Sequence, residues 1–206
     1  MSDRPNSLDA IDHSIRGWAA LLQPSSRETL DEAINDFEQA LRLDPDNPEA
    51  LIGRALARLS NLFTFHTGDW YLVLRDSEDA ANRVLAKHPE YAGAHFAKGL
   101  VAEGWDLFAA SLVEFDAAIR IEPNFADAYA EKAHVMTLLG RAAEAFPLAE
   151  QALRLDPLSP SRSVHEYFSC DAHAHLAQWE QAVEWCSRSA ASNPSFYWGA
   201  IQSDAG

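Results

Sequence analysis

Residues 126–157 read ADAYAEKAHVMTLLGRAAEAFPLAEQALRLDP, and the pattern of this stretch decides the fold. Two amphipathic helical runs meet at Gly140, and Pro157 closes the second. The preceding segment lies over it at a spacing of 34 residues: Gly99 falls on Ala133, Ser111 on Ala145, Phe115 on Ala149, Ala118 on Ala152, and AIRIEP on ALRLDP. Small residues recur where two helices approach closely, and a proline follows where no further helical hydrogen bond is needed. Pro45, Pro89, Pro123, Pro157 and Pro194 extend this register at intervals of 44, 34, 34 and 37 residues.

The pattern resembles the tetratricopeptide repeat, a helix-turn-helix unit of about 34 residues. Tyr129 takes its first aromatic position, Ala133 the small position of the first helix, Gly140 the turn, and Ala145 and Ala152 the small positions of the second helix. Off-length copies keep comparable anchors: Gly17, Ala33, Phe37, Ala40 and Pro45; Ala55, Val84 and Pro89; Cys170, Trp179, Ala182, Ser189 and Pro194. The resemblance implies an all-α, right-handed superhelical solenoid of about five such units, each burying its apolar face against its neighbours. One solenoid is expected over 8–206, with repeats near 8–45, 48–89, 92–123, 126–157 and 160–194. A partial terminal helix over 195–206 and a disordered N-terminus over 1–7 complete that division.

The first helix is expected from near Leu8 to Leu22, with Ser25 and Ser26 available to cap the next. Pro48 suits a helical first turn, where its missing N–H is no loss. The interval of 44 is explained by the inserted stretch FTFHTGDW before Tyr71, with Gly68 and Asp69 as the break and Asp76–Lys87 as the following helix. The interval of 37 is explained by PLSPSRSVHEYFS, as either a longer helix or a longer linker.

Of the 206 residues, 31 are acidic and 16 basic, giving a formal net charge of −15 that argues against binding a phosphate backbone. Nucleic acid is therefore not expected as a partner. No apolar run approaches the roughly 20 residues that span a bilayer, and the start lacks a secretory leader pattern, so no membrane association and a cytoplasmic location are expected. Cys170 and Cys186 suit a reducing compartment as two core thiols. A disulfide between them is geometrically conceivable within one helix pair, but the expected compartment disfavours it.

Catalytic motifs are fragmentary, and no enzyme activity, cofactor or metal is expected. Glu166, Cys170 and His173 share one helical face, but Cys170 occupies a packing position and no fourth ligand is apparent. His173 and His175 lie two apart, hence on different helical faces, one read as buried and one as groove-facing. AGAHFAKG lacks the spacing and terminal Lys-Ser/Thr of a phosphate loop.

Carrying the repeat family's groove positions onto this chain gives Ile52 and Leu56; Phe96, Leu100 and Glu103; Glu131, His134 and Leu138; and Tyr167, Phe168, Asp171 and His175. The strip is mixed apolar and acidic. It lacks the basic set of the carboxylate-clamp subfamily, which grips acidic chaperone tails. A partly apolar peptide or helix, with basic residues, is the expected ligand. The expected function is thus a non-enzymatic scaffold binding a protein or peptide partner in a concave groove. Segments including ALIGRALARLSNLFTFHTGDW and AGAHFAKGLVAEG also resemble the repeat region after the catalytic domain of some bacterial class III adenylate cyclases. That likeness implies a regulatory component of a cyclase or related signalling system as the alternative. A third reading is a small-molecule sensor built on Phe63, Phe65, His66, Trp70 and Tyr71. The apolar end after Pro194 admits a homo-oligomer through an uncapped C-terminus.

Overall fold

The computed structural model describes residues 5–193. The expected terminal helix over 195–206, the C-terminal oligomer contact and residues 1–4 lie outside the described residues. Among the described residues, ten α-helices run in the order α1 Pro5–Leu21, α2 Arg27–Leu43, α3 Pro48–Phe65, α4 Trp70–Lys87, α5 Ala92–Gly104, α6 Phe108–Ile121, α7 Ala126–Leu138, α8 Ala142–Leu155, α9 Arg162–His175 and α10 Trp179–Ser192. Among the described residues there is no strand. Helix α1 starts at Pro5, so residues 5–7, expected as disordered, open a helix.

Local chemistry sets the helix ends. The Ser26 hydroxyl accepts from the Thr29 N–H at 3.1 Å, while the Ser26 N–H donates to the Thr29 hydroxyl at 3.0 Å, closing a capping box. The Asn47 side chain accepts from the Ala50 N–H at 3.0 Å, with Pro48 in the first turn of α3. The insertion FTFHTGDW is resolved as longer helices. Helix α3 continues to Phe65, and α4 begins at Trp70 rather than Asp76, because the Asp69 carboxylate caps the Leu72 N–H at 3.0 Å. The extra residues of the fifth repeat lie in the linker 156–161, ahead of a 14-residue α9.

The chain divides into two compact units, residues 1–101 and 102–206. In the first unit Phe37 is the fully buried centre of a cluster with Ala33, Ala40, Ala50 and Ala57, flanked by Trp18 and Leu21. Its ring lies against Gly17 and Gly53 and meets Trp18 edge to face at 5.6 Å. A second cluster joins Leu51, Ile52, Ala55, Ala80, Ala81, Val84, Ala94 and Ala97. Alanines dominate both clusters because only small side chains let helix backbones approach closely.

In the second unit, Ala133, Met136, Ala145 and Ala149 bind α7 to α8, and Ala130, Ala152 and Phe168 join α9 to them. Cys170, Ala182 and Cys186 hold α9 against α10. The two cysteines are not separate core thiols, as the sequence reading has them. They form a disulfide, with Cα atoms 5.2 Å apart, because their packing positions face each other across one helix pair. Trp179, expected as an anchor, is 64% exposed on the first residue of α10.

The turns between paired helices repeat a left-handed residue at Asp106 (φ 58°), Gly140 (φ 75°) and Ala177 (φ 54°). Glycine takes this conformation freely, whereas alanine meets its own carbonyl there. Ala177→Gly is therefore expected to stabilise the second unit by about 0.5–1 kcal/mol. Urea unfolding checks this against Gly140→Ala, which should shift stability the opposite way.

Candidate functional site

In helix α7, Asp127, Glu131, His134 and Leu138 follow i, i+4, i+7 and i+11 spacing and so share one face. On α9, Asp171 and His175 are one turn apart, with Tyr167 and Phe168 one turn before them. These faces meet at His134. Its Nε2 lies 3.5 Å from Glu103 Oε1, and its Nδ1 lies 3.9 Å from Asp171 Oδ2. Both distances are longer than a good hydrogen bond. The His134 ring stacks on Phe168 with centroids 4.2 Å apart and planes 11° from parallel. His175 Nδ1 donates to the Asp171 backbone carbonyl at 3.0 Å and sits 3.4 Å from the Asp171 carboxylate.

Burial sets the protonation of this cluster. The Glu103 and Asp171 side chains are 15% exposed and His134 19%. Desolvation pushes Glu103 up to about 8. Burial raises Glu131 well above the ordinary carboxyl range, and the charges of Glu103 and Asp127 add to it. Asp171 is also raised by burial, against the pull of His175. His134 is drawn down to about 4 by burial and then by His175, and the Tyr167 hydroxyl is raised to about 12 by burial and the Asp171 charge.

The sign of the resulting pH dependence follows from where each proton sits. Between the ordinary 4.5 and about 8, folded Glu103 keeps a proton that the unfolded chain has released, so its contribution to stability falls as pH rises through that window. His134 acts oppositely, losing stability as pH falls from 6.5 towards 4. Glu103→Gln is expected to raise Tm by about 2–6 °C at pH 8.5 and to leave it unchanged at pH 5. Thermal melts at both pH values check this, and an equal shift at the two would contradict it.

Ile52, Phe96 and Leu100 are buried, Ile52 completely, and Leu56 packs on the same cluster as Ile52. Ile52 is thus a core residue of the first unit, and Leu56 packs partly buried against the same cluster, because helix α3 turns that face towards α4 and α5. Leu138 is 45% exposed. His173 is buried, with Nδ1 2.6 Å from the Gln178 side-chain oxygen and its ring edge-on to Phe146 at 4.7 Å. Glu166 is also buried and accepts from Arg162 at 2.9 Å and Ser192 at 2.5 Å. With Cys170 in the disulfide, the Glu166, Cys170 and His173 trio is used in packing.

Sequence reading missed His165 and Asp127. His165 is 2% exposed, with Nε2 2.8 Å from the Asp127 carboxylate and Nδ1 lacking a hydrogen-bond partner. The i−4 spacing of Asp127 from Glu131 was a readable signal, whereas the contact with His165, 38 residues away, was not.

The helix pairs, the small residues at their crossings and the left-handed turns define the tetratricopeptide-repeat fold. The TPR repeat family model matches residues 26–61. Over nearly the whole chain the fold is similar to that of TTC0263, a thermophilic TPR protein of Thermus thermophilus. The two share 17% identity, with a TM-score of 0.70 and 97% of each chain covered. YrrB, a TPR protein described as having an unusual peptide-binding site, is 18% identical with a TM-score of 0.54, over 95% of this chain and 92% of its own. PilW, a widely conserved type IV pilus biogenesis factor, is 16% identical with a TM-score of 0.61, over 96% of this chain and 83% of its own. No curated protein matches the sequence. Among the described residues, no helix is long and apolar enough to cross a membrane.

Proposed function

We propose that this chain is a non-enzymatic interaction module that binds a peptide or helix of a protein partner against the α7 and α9 faces of its second unit. The observation that carries this reading is the convergence at His134, where one imidazole lies beside Glu103 of α5, Asp171 of α9 and the Phe168 ring. Acidic, aromatic and aliphatic side chains on adjacent helix faces suit a partly apolar ligand, with pockets for alternate side chains along its length. The peptide-binding site described for YrrB is consistent with this use of the fold.

The sensor reading has less support. Phe63 and Trp70 pack edge to face on each other at 5.5 Å, and His66 closes α3, so these residues serve helix packing and termination. No observation favours a cyclase regulator over any other protein partner.

Selection of a displayed random peptide library on the intact chain tests the proposal. Convergent peptides are expected, with binding at least about tenfold weaker to Asp171→Arg, a loss typical of one important contact. Failure to enrich any peptide family, or equal binding to the variant, would count against this surface.

A further inference from the structure

Most acidic groups of the second unit that enter ion pairs have a cationic partner within the chain. Asp116 pairs with Lys132, Glu144 with Arg141, Glu166 with Arg162 and Glu184 with Arg188. Glu103, Glu131 and Asp171 differ: among the described residues, none of them forms an ion pair with lysine or arginine. Two atoms of this cluster, Glu103 Oε2 and His134 Nδ1, are fully buried and lack any hydrogen-bond partner. A buried polar atom left unsatisfied costs about 1–3 kcal/mol, so a partner able to donate to Glu103 Oε2 would be favoured there.

We infer that Glu103, Glu131, His134 and Asp171 form a receiving site for one cationic side chain, arginine or lysine, carried by the peptide partner. This rests on the reading of the α7 and α9 faces as a peptide surface. The chemistry fits on three counts. A guanidinium offers five N–H donors and an ammonium three, enough to satisfy the Glu103 Oε2 and the neighbouring carboxylates together. The buried Phe168 ring, stacked on His134, holds that imidazole beside the two carboxyl groups. Among the described residues, no group of three His, Cys, Asp or Glu side chains is spaced to hold a metal ion, so the wider arrangement favours an organic cation.

Cation and proton compete for this site. The groups that face it are Glu103 from α5, Asp127, Glu131 and His134 from α7, and His165, Tyr167, Asp171 and His175 from α9. Burial holds a proton on Glu103 up to about 8 and shifts Glu131 and Asp171 in the same direction, so an entering cation competes with protons there. Release of one proton makes affinity rise by up to about tenfold per pH unit below the pKa of the group that loses it.

Four pools of amidated octapeptides test the site, random at their apolar positions and alike except for one fixed position held as arginine, lysine, citrulline or glutamate. Each is titrated against the intact chain at pH 6, 7 and 8 by fluorescence anisotropy. The arginine and lysine pools should bind at least about tenfold tighter than the citrulline pool at pH 8, with the advantage shrinking towards pH 6. The conservative pair Glu103→Gln and Asp171→Asn should bring arginine and lysine binding down to the level of citrulline binding in the same variant, with circular dichroism confirming the fold. Equal binding of the arginine and citrulline pools, or an advantage independent of pH, overturns the cation site while leaving the peptide surface standing. Absence of binding by every pool overturns both.

Discussion

Phe37→Ala is expected to cost the first unit about 3–5 kcal/mol, the usual loss when a buried aromatic ring is removed from a close-packed core. Phe37 is fully buried, and its ring fills the space left by the missing side chains of Gly17 and Gly53. A Cβ at Gly17 would lie 2.7 Å from the ring, and one at Gly53 would overlap the ring itself. Because the ring is enclosed by Ala33, Ala40, Ala50 and Ala57, it cannot swing aside cheaply. The pair therefore predicts a change of sign. Gly53→Ala should destabilise the wild-type chain, although alanine is the better helix former by about 1 kcal/mol. In the Phe37→Ala background the same substitution should stabilise, since the obstruction is gone. Urea unfolding of the double-mutant cycle measures this coupling, and a stabilising Gly53→Ala in the wild type would show that the ring is not wedged between the two glycines.

Removing the Cys170–Cys186 disulfide should cost the second unit about 3 kcal/mol, the loss expected for a closed loop of this size. That corresponds to a fall in Tm of about 6–12 °C for a chain of this length. Cys170→Ala with Cys186→Ala keeps small apolar groups at two buried positions, so the loss reports the cross-link more than the packing. A reductant should lower the Tm of the wild type and leave the double variant unmoved. The bond also bears on where the protein works, since disulfides persist in oxidising compartments and are rare in reducing ones. Thiol titration of protein isolated from its native cell under alkylating conditions tests this directly. Two free thiols would return Cys170 and Cys186 to the role of core residues in a reducing compartment.

The helical architecture was largely legible because it rests on local chemistry. Gly140 marks a turn because its conformation is left-handed, and Ser26 and Pro48 mark helix starts because of the backbone groups they satisfy or lack. The insertion was less legible. Gly68 and Asp69 read correctly as a break, but the Asp69 carboxylate accepts from the Leu72 N–H, so α4 begins at Trp70, six residues before the expected Asp76. Of the twelve strip residues, Glu103, His134, Phe168, Asp171 and His175 come together, a convergence that the groove positions did not spell out. Ile52 is packed in the first unit's core, and nothing in the sequence said so, because an apolar residue at a groove position is chemically indistinguishable from a core residue until its neighbours are placed.

By itself the sequence determined the repeat period, the positions of the small residues and several helix ends, since each depends on contacts within a few residues or on a spacing that recurs. Only the tertiary structure decided which helix faces meet. It brought together Glu103, His134 and Asp171, which are 31 and 37 residues apart in the chain, and joined Cys170 to Cys186. The physical reason is that proximity across helices depends on the rotation of each helix about its axis and on the volume of the side chains between them. Charge and protonation then follow from the burial that this packing imposes on groups whose sequence neighbours do not reveal it.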